Sequence, residues 1–442
     1  MAENQYRQAQ FGAPSIPEEL ARVTLTDPAG FDGCLRLGVS AEGVGALELA
    51  RALYSRCAII NPKSPIPLFN LGNVLVASGR FSLAATSFEH AIALGLDSVD
   101  AYLNSALTNL LTENYGLGWA RYSRRWDLPS DKLAEFASSA RLSIPYLDGV
   151  GFSCGRLLVS AEQGLGDQIM FASLLSEAAK LCRKLTLTAD PRLVALFARS
   201  FPDLHVVDAR TSLRPENFDR QISIGDLGGL FRSSIESFSN QPTRFLREDE
   251  VRRNEYRALL RRRSSQTIVG ISWRSTNHQT GSTRSIPLIT LLQLLAKNGL
   301  TPVCLQYGDP KEISREIELA SRDSEVEVLT IPNLDCNEDI DGVAALVSAC
   351  DMVITVGNTV GHLSGALGQN THVLLPRPGA RNHNAQIIPN WRWGIDTLHS
   401  RWYPKVTLHR QGKLGGWGVA LEALSQCLAN ESMPTTALTG GV

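Results

Sequence analysis

Across the first quarter of the chain, apolar positions recur at helical spacing, and the pattern returns every 34 residues. Ala84, Phe88 and Ala91 fall at i, i+4 and i+7, one face of a helix. One period earlier the same places hold Ala50, Tyr54 and Cys57, and Leu37-Gly38 returns as Leu71-Gly72. A weaker third copy sets Tyr102, Ala106, Gly118 and Tyr122 one period after Leu68, Gly72, Ala84 and Phe88. From about Gly155 the pattern changes to short apolar runs separated by glycine turns and amphipathic stretches. Strands are predicted at Arg156 to Ser160, Lys184 to Thr188, Leu204 to Val207 and Gln221 to Ile224, with a helix over Gln168 to Cys182. After an arginine-rich connection, strands are predicted at Thr267 to Trp273, Thr301 to Gln306, Glu327 to Leu329, Met352 to Val356 and Thr371 to Leu375, with a helix over Val360 to Leu367.

A 34-residue unit of two antiparallel helices has the length and the small-large pattern of a tetratricopeptide repeat. The apolar knob beside a glycine, as at Leu71-Gly72, lets the second helix of a unit approach the first closely. Three such units are about the minimum for a self-supporting stack, which presents a concave groove to a peptide or protein. Strand, turn and helix in alternation give a doubly wound sheet. Two such halves facing each other across a cleft define a GT-B type architecture. The expected class is therefore α + α/β, with N-terminal repeats followed by two Rossmann-like halves. The expected boundaries are an N-terminal segment at 1–30, repeats at 31–126, a linker at 127–154, a first half at 155–245, a second half at 246–430 and a disordered tail at 431–442.

Composition narrows this picture. With 43% hydrophobic and 20% charged residues, 442 residues suit two or three ordinary domains. A formal charge of -1 argues against a general affinity for nucleic acid or an acidic membrane surface. The run Arg252, Arg253, Arg257, Arg261, Arg262 and Arg263 shares a helix with four nearby acidic residues and reads as a solvated face, with phosphate binding as the alternative. Eight cysteines without a Cys-x-x-Cys pair suit reduced thiols, and no window approaches the ~20 apolar residues of a spanning helix. With neither a basic leader nor an apolar stretch at the N-terminus, the expected location is the cytoplasm. An exposed end of a short repeat stack is a candidate homodimer surface.

The candidate chemistry lies at strand ends. Gly164, Gly166 and Asp167 follow a strand and open a helix, where open α/β sheets bind ligands. Asp167 has two readings: an N-cap, or a general base that deprotonates an acceptor hydroxyl. In the second half Trp273-Arg274, Arg284, Gln306-Tyr307 and Asn358-Thr359 should converge on one sheet edge and form a diphosphate cradle with the helix start behind Thr359. His362, in the first turn of that helix, is either a core residue or a substrate contact. Trp391, Trp393, Trp402 and Tyr403 either stack on a nucleotide or pack at a seam. No cofactor and no metal site are expected.

The segments SAEQGLGDQIMFASLL, VGISWR, RSIPL, LQYG, VGNTVGHLSGALG, WRW and WYPKVTLHRQ, in that order, resemble the C-terminal domain of bacterial repeat proteins similar to the family 9 glycosyltransferases, the ADP-heptose heptosyltransferases. The resemblance spans Leu157 to Gln411. It implies an inverting, metal-independent GT-B enzyme that uses a nucleotide-activated sugar, with Asp167 as the base and Arg284 on the donor phosphate. Heptosyltransferases carry Asp-Thr-Gly where this chain has Gly357-Asn358-Thr359. The favoured expectation is sugar transfer to a hydroxyl of a protein acceptor gripped by the repeats, flagellin or another surface protein among the candidates. The alternatives are a non-catalytic adaptor with a degenerate GT-B domain and a transferase acting on a lipopolysaccharide-type acceptor.

Overall fold

The computed structural model describes residues 30–128, 142–147, 149, 154–276, 281–377, 390–412 and 416–431. All but the last residue of the expected N-terminal segment, most of the linker and all but the first residue of the tail lie outside the described residues. The chain divides into two units, 1–108 and 109–442. The division falls inside the helix Val99–Leu111.

The first unit is helical. Phe31–Gly43 pairs with Leu47–Ile60, and Ile66–Ala77 pairs with Phe81–Ala93. The glycines of the repeat pattern are where these pairs touch. A Cβ on Gly38 would stand 2.5 Å from the Tyr54 ring, and one on Gly72 would stand 2.5 Å from the Phe88 ring. Both rings are fully buried. The Tyr54 hydroxyl donates to Glu42 at 3.0 Å, which gives its polar tip a partner at the edge of the contact.

The second unit opens with helix Tyr115–Tyr122 and a 3-10 turn, Ser123–Asp127. Trp119 lies over Gly228, meets Phe171 and Trp391 edge-on, and donates its indole N–H to the Arg232 carbonyl at 2.8 Å. The first sheet comprises β1 (Cys154–Ser160), β2 (Cys182–Ala189), β3 (His205–Asp208) and β4 (Arg220–Ser223), all parallel in the order β3-β2-β1-β4. The second comprises β5 (Thr267–Ser272), β6 (Leu300–Cys304), β7 (Met352–Val356), β8 (Thr371–Leu375) and β9 (Val406–Arg410), all parallel in the order β6-β5-β7-β8-β9. Strand order reverses beside β1 in the first sheet and between β5 and β7 in the second. Ligands of open parallel sheets bind at the carboxyl ends of such strands.

Two expectations change. The helix over Gln168 to Cys182 is two helices, Leu165–Ala172 and Leu175–Ala179, broken where the Ser173 hydroxyl bonds back to the Met170 carbonyl at 2.8 Å. Glu327 to Leu329 forms a single bridge, Leu329 to Val303, instead of a strand. The next ladder bond in parallel register would need an N–H at position 302, which is proline. The arginine run on helix Glu250–Arg263 lies on a face open to solvent, and most of it is ion-paired there: Arg257 and Arg261 hold Asp351, Arg252 holds Asp339, Arg253 holds Glu248, and Arg263 holds Glu327. Asp351 also accepts from the Ile268 amide at 2.8 Å, so this clamp sits at the amino ends of β5 and β7, away from their carboxyl ends.

Candidate active site

At the carboxyl end of β1 the chain turns through Ala161, Glu162, Gln163 and Gly164 into helix Leu165–Ala172. Glu162 is fully buried and bound by both arms of Arg125, at 3.0 Å each; Arg125 also reaches Asp226 at 2.6 Å. Burial pushes the Glu162 carboxyl up, and the guanidinium opposes that push. The Trp126 indole and the Tyr146 hydroxyl close the remaining sides of Asp226. The turn is thereby fixed to the segment that precedes the sheet.

Gly164 caps the helix with an extended backbone, and Asp167 is its third residue, so Asp167 is not the N-cap. Its carboxylate is 15% exposed and pairs with Arg392, which the 3-10 turn Trp391–Trp393 carries in from the other sheet. Arg392 also donates to Gln163 Oε1 at 2.9 Å and to Asn390 Oδ1 at 3.3 Å. Arg410 fixes that turn through the Trp393 and Gly394 carbonyls, at 2.6 and 3.2 Å. Gly166 permits the approach of the two sheets, since a Cβ there would stand 2.8 Å from the His362 ring.

The second sheet brings its candidates to the carboxyl ends of β5, β6 and β7. Two amide side chains tie these ends together. Gln306 Oε1 accepts from the Ser272 hydroxyl and the Trp273 and Arg274 amides at 2.9–3.1 Å, while its Nε2 donates to the Tyr307 carbonyl at 2.7 Å. Asn358 caps helix Thr359–Ala366 by accepting from the Val360 amide at 3.0 Å, and donates to the Ser272 hydroxyl at 2.8 Å and the Arg274 carbonyl at 3.2 Å. Both amides are buried and fully engaged, so they hold the rim in shape. Trp273 is buried as well, its indole donating to Glu316 at 2.9 Å. Arg274 lies near Glu312 and Glu316, at 3.2 and 3.3 Å.

The groups with unspent chemistry are fewer. The Tyr307 hydroxyl faces Thr359 and Thr276; burial raises it, and hydrogen bonds to the two threonines offset part of that push. Arg284 makes no hydrogen bond or ion pair among the described residues. Burial lowers its guanidinium from the ordinary arginine value, the nearby Arg392 charge adds to that, and Tyr307 and Asp167 oppose it. Two guanidiniums, two threonine hydroxyls and a phenol therefore share a place with one carboxylate. The charge balance there favours an anionic ligand.

His362 is 5% exposed, its ring tilted against Trp393 with centroids 4.6 Å apart, and is bonded to the Tyr403 hydroxyl at 2.9 Å. Burial, and secondarily the charges of Arg392 and Arg284, push its imidazole down to about 3. The ring is neutral at physiological pH. Trp391 and Trp402 are buried in an aromatic cluster with Phe171, Trp119 and Phe238, and Trp393 and Tyr403 are buried in a second one with His362, which is the seam-packing reading. A Cβ at Gly357 would stand 2.8 Å from Leu375, so a carboxylate at this position has no room without moving the β8 side chain.

Sequence reasoning missed Arg392, Gln163 and the Arg125–Glu162–Asp226 cluster. The first two lie inside the motifs WRW and AEQGLGD, where the tryptophans and the glycines carry the recognisable signal. Arg125 had no such flag.

Two parallel sheets, joined where a carboxylate at the switch point of the first meets a guanidinium from the β8–β9 connection of the second, and preceded in the chain by a helical unit, define the α/β class of this molecule. No family model matches the chain. Protein FlbA of Caulobacter vibrioides is 30% identical over 447 residues, covering 90% of this chain and 72% of that protein. The chain belongs to the FlbA family. Among solved structures it is similar to E. coli ADP-heptose heptosyltransferase II (12% identity, 64% of this chain and 100% of that one, TM-score 0.43) and a family 9 glycosyl transferase from Veillonella parvula (11%, 65% and 100%, 0.43). It is also similar to an O-GlcNAc transferase of Thermobaculum terrenum (16%, 80% and 77%, 0.28). At these TM-scores the likenesses assign this chain no activity. Among the described residues no helix is long and apolar enough to cross a membrane.

Proposed function

We propose that the chain is an inverting glycosyltransferase that moves a sugar from a nucleotide-activated donor to a hydroxyl of a protein acceptor. The observation that carries this reading is the placement of Asp167 at the switch point of one sheet, facing Arg284, which is unpaired among the described residues, and the helix start at the switch point of the other. The donor diphosphate lies between Arg284, Arg392, the Tyr307 and Thr359 hydroxyls and the first turn of helix Thr359–Ala366. Those cations stabilise the leaving nucleotide as its charge develops. Asp167 takes the acceptor proton. Gln306, Asn358 and Trp273 shape the rim, and His362 packs the seam beside it. The helical unit, read as tetratricopeptide repeats, recruits the polypeptide, with flagellin or another surface protein as the candidate acceptor.

Thermal denaturation with UDP, GDP, ADP and CMP and their sugar conjugates tests the donor site. A nucleotide at about 100 times its dissociation constant should add roughly 2.7 kcal/mol of stability. The shift should vanish in Arg284→Ala and persist in Asp167→Asn, while Asp167→Asn abolishes transfer. Gly357 favours one second reading, a non-catalytic adaptor, because the carboxylate that heptosyltransferases carry there is missing. A folded protein that shifts with none of the nucleotides would establish that reading instead.

A further inference from the structure

Gln163 carries two features that the site described so far leaves unused. Its backbone is left-handed, at φ 59°, a region that residues with a side chain avoid and glycine enters freely. The next residue, Gly164, is a glycine in an extended conformation that any residue could adopt. The chain therefore places a glutamine where glycine would fit with less strain, and such strain gathers at functional sites.

The side chain accounts for the choice. Gln163 Nε2 donates to the Tyr122 hydroxyl, and Oε1 accepts from Arg392 Nη2 at 2.9 Å. Tyr122 is itself immobilised: it is buried, meets Trp119 and Trp391 edge-on and lies under the Arg125 guanidinium. Arg392 passes the constraint on, since its Nε and Nη2 both contact Oδ1 of Asp167. Oδ2 of Asp167 has no hydrogen-bond partner among the described residues. A row of bonds thus runs from the helix ahead of the sheet, through a strained glutamine, to one oxygen of the carboxylate.

We propose that Gln163 is a positioning residue that locks Arg392 on Oδ1 of Asp167 and so reserves Oδ2 as the atom that takes the acceptor's proton; the second half of this statement rests on the reading of Asp167 as the base. Without the glutamine the guanidinium keeps its charge beside Asp167 and the longer bond to Asn390 at 3.3 Å, but loses the shorter of the two side-chain bonds that hold its plane from outside the pair. The carboxylate then turns with it, and the oxygen aimed at the acceptor is no longer defined.

Three variants of the full chain test this: Gln163→Gly, Gln163→Glu and Tyr122→Phe. Gln163→Gly removes both bonds and relieves the left-handed backbone, so its Tm should stay within about 2 °C of wild type. Gln163→Glu keeps the reach to Arg392, and the Tyr122 hydroxyl can turn to donate to it. In protein labelled with 15N-arginine, the Arg392 Nε–H resonance, assigned by its loss in Arg392→Lys, should be slow to exchange in wild type and in Gln163→Glu. It should broaden into solvent exchange in Gln163→Gly and weaken in Tyr122→Phe. An unchanged resonance in Gln163→Gly overturns the proposal whatever the protein's activity. In turnover of the sugar nucleotide that gave the thermal shift, Gln163→Gly should lose up to about a hundredfold in kcat with KM for that donor unchanged, and Gln163→Glu should recover most of it. Full kcat in Gln163→Gly also overturns it. Normal turnover by Asp167→Asn would instead remove the assignment of the base, leaving the resonance experiment to decide the role of Gln163.

Discussion

His362 contributes to the fold by staying uncharged. Its folded value of about 3 lies below the ordinary 6.5, so the unfolded chain binds the proton first and stability is lost as pH falls below about 6.5. His409, pushed down to about 4 mainly by burial beside His372, acts in the same direction. Each should cost about 2 kcal/mol between pH 6.5 and 5, ahead of the range where paired carboxylates protonate. Urea denaturation at the two pH values should show the loss, and His362→Gln should remove about half of the two-histidine loss. At this scale the sequence revealed residues at turns and concealed those defined by partners. Asp167 and Asn358 stood out because small residues and strand ends surround them. Gln163 and Arg392 did not, since each has its meaning from the other, 229 positions away.

Among elements, the helix pairs were the most legible, because the glycine and the ring that meet across each pair recur at a fixed interval. Gly72→Ala tests that contact. The new methyl has no space against the buried Phe88 ring, so the helical unit should lose about 1–3 kcal/mol, and Phe88→Leu in the same chain should restore part of it. Strands β5, β7 and β8 were readable as continuous apolar runs bounded by turns. Strand β9 was hidden, because Val406 to Arg410 alternates apolar and polar residues and carries His409 and Arg410, whose side chains serve the interior and the Trp393 turn. The pairing at Leu329 is shorter than local propensity predicts, since a proline on the partner strand decides it. The switch points that locate the site follow from strand order, which no single segment encodes.

For the molecule as a whole, the division at residue 108 sets where the chain can be cut. Removal of residues 1–98 keeps helix Val99–Leu111 intact and should leave a folded α/β unit with the same nucleotide shift as the full chain. Removal of residues 1–126 deletes Trp119, Tyr122 and Arg125. It strands the Glu162 and Asp226 charges, and the product should be insoluble or should melt at least 10 °C lower, by roughly 3–5 kcal/mol for the lost buried partner alone. Circular dichroism melts of the two truncations would distinguish a boundary at 108 from one at 126. If the first truncation fails to fold while the second folds, the division is misplaced.

The Arg392–Asp167 pair also dictates a schedule during synthesis. The helix pairs of the first unit close contacts between near neighbours as they emerge. Arg125 finds Asp226 only 101 residues later, and Asp167 meets Arg392 after a further wait, 225 residues beyond itself. At 5–20 residues per second the ribosome takes roughly 11–45 s to cover that last interval. Throughout it the helical unit is already made while the carboxylate has no guanidinium to hold it, so a nascent chain can carry a finished N-terminal surface well before it owns a working centre.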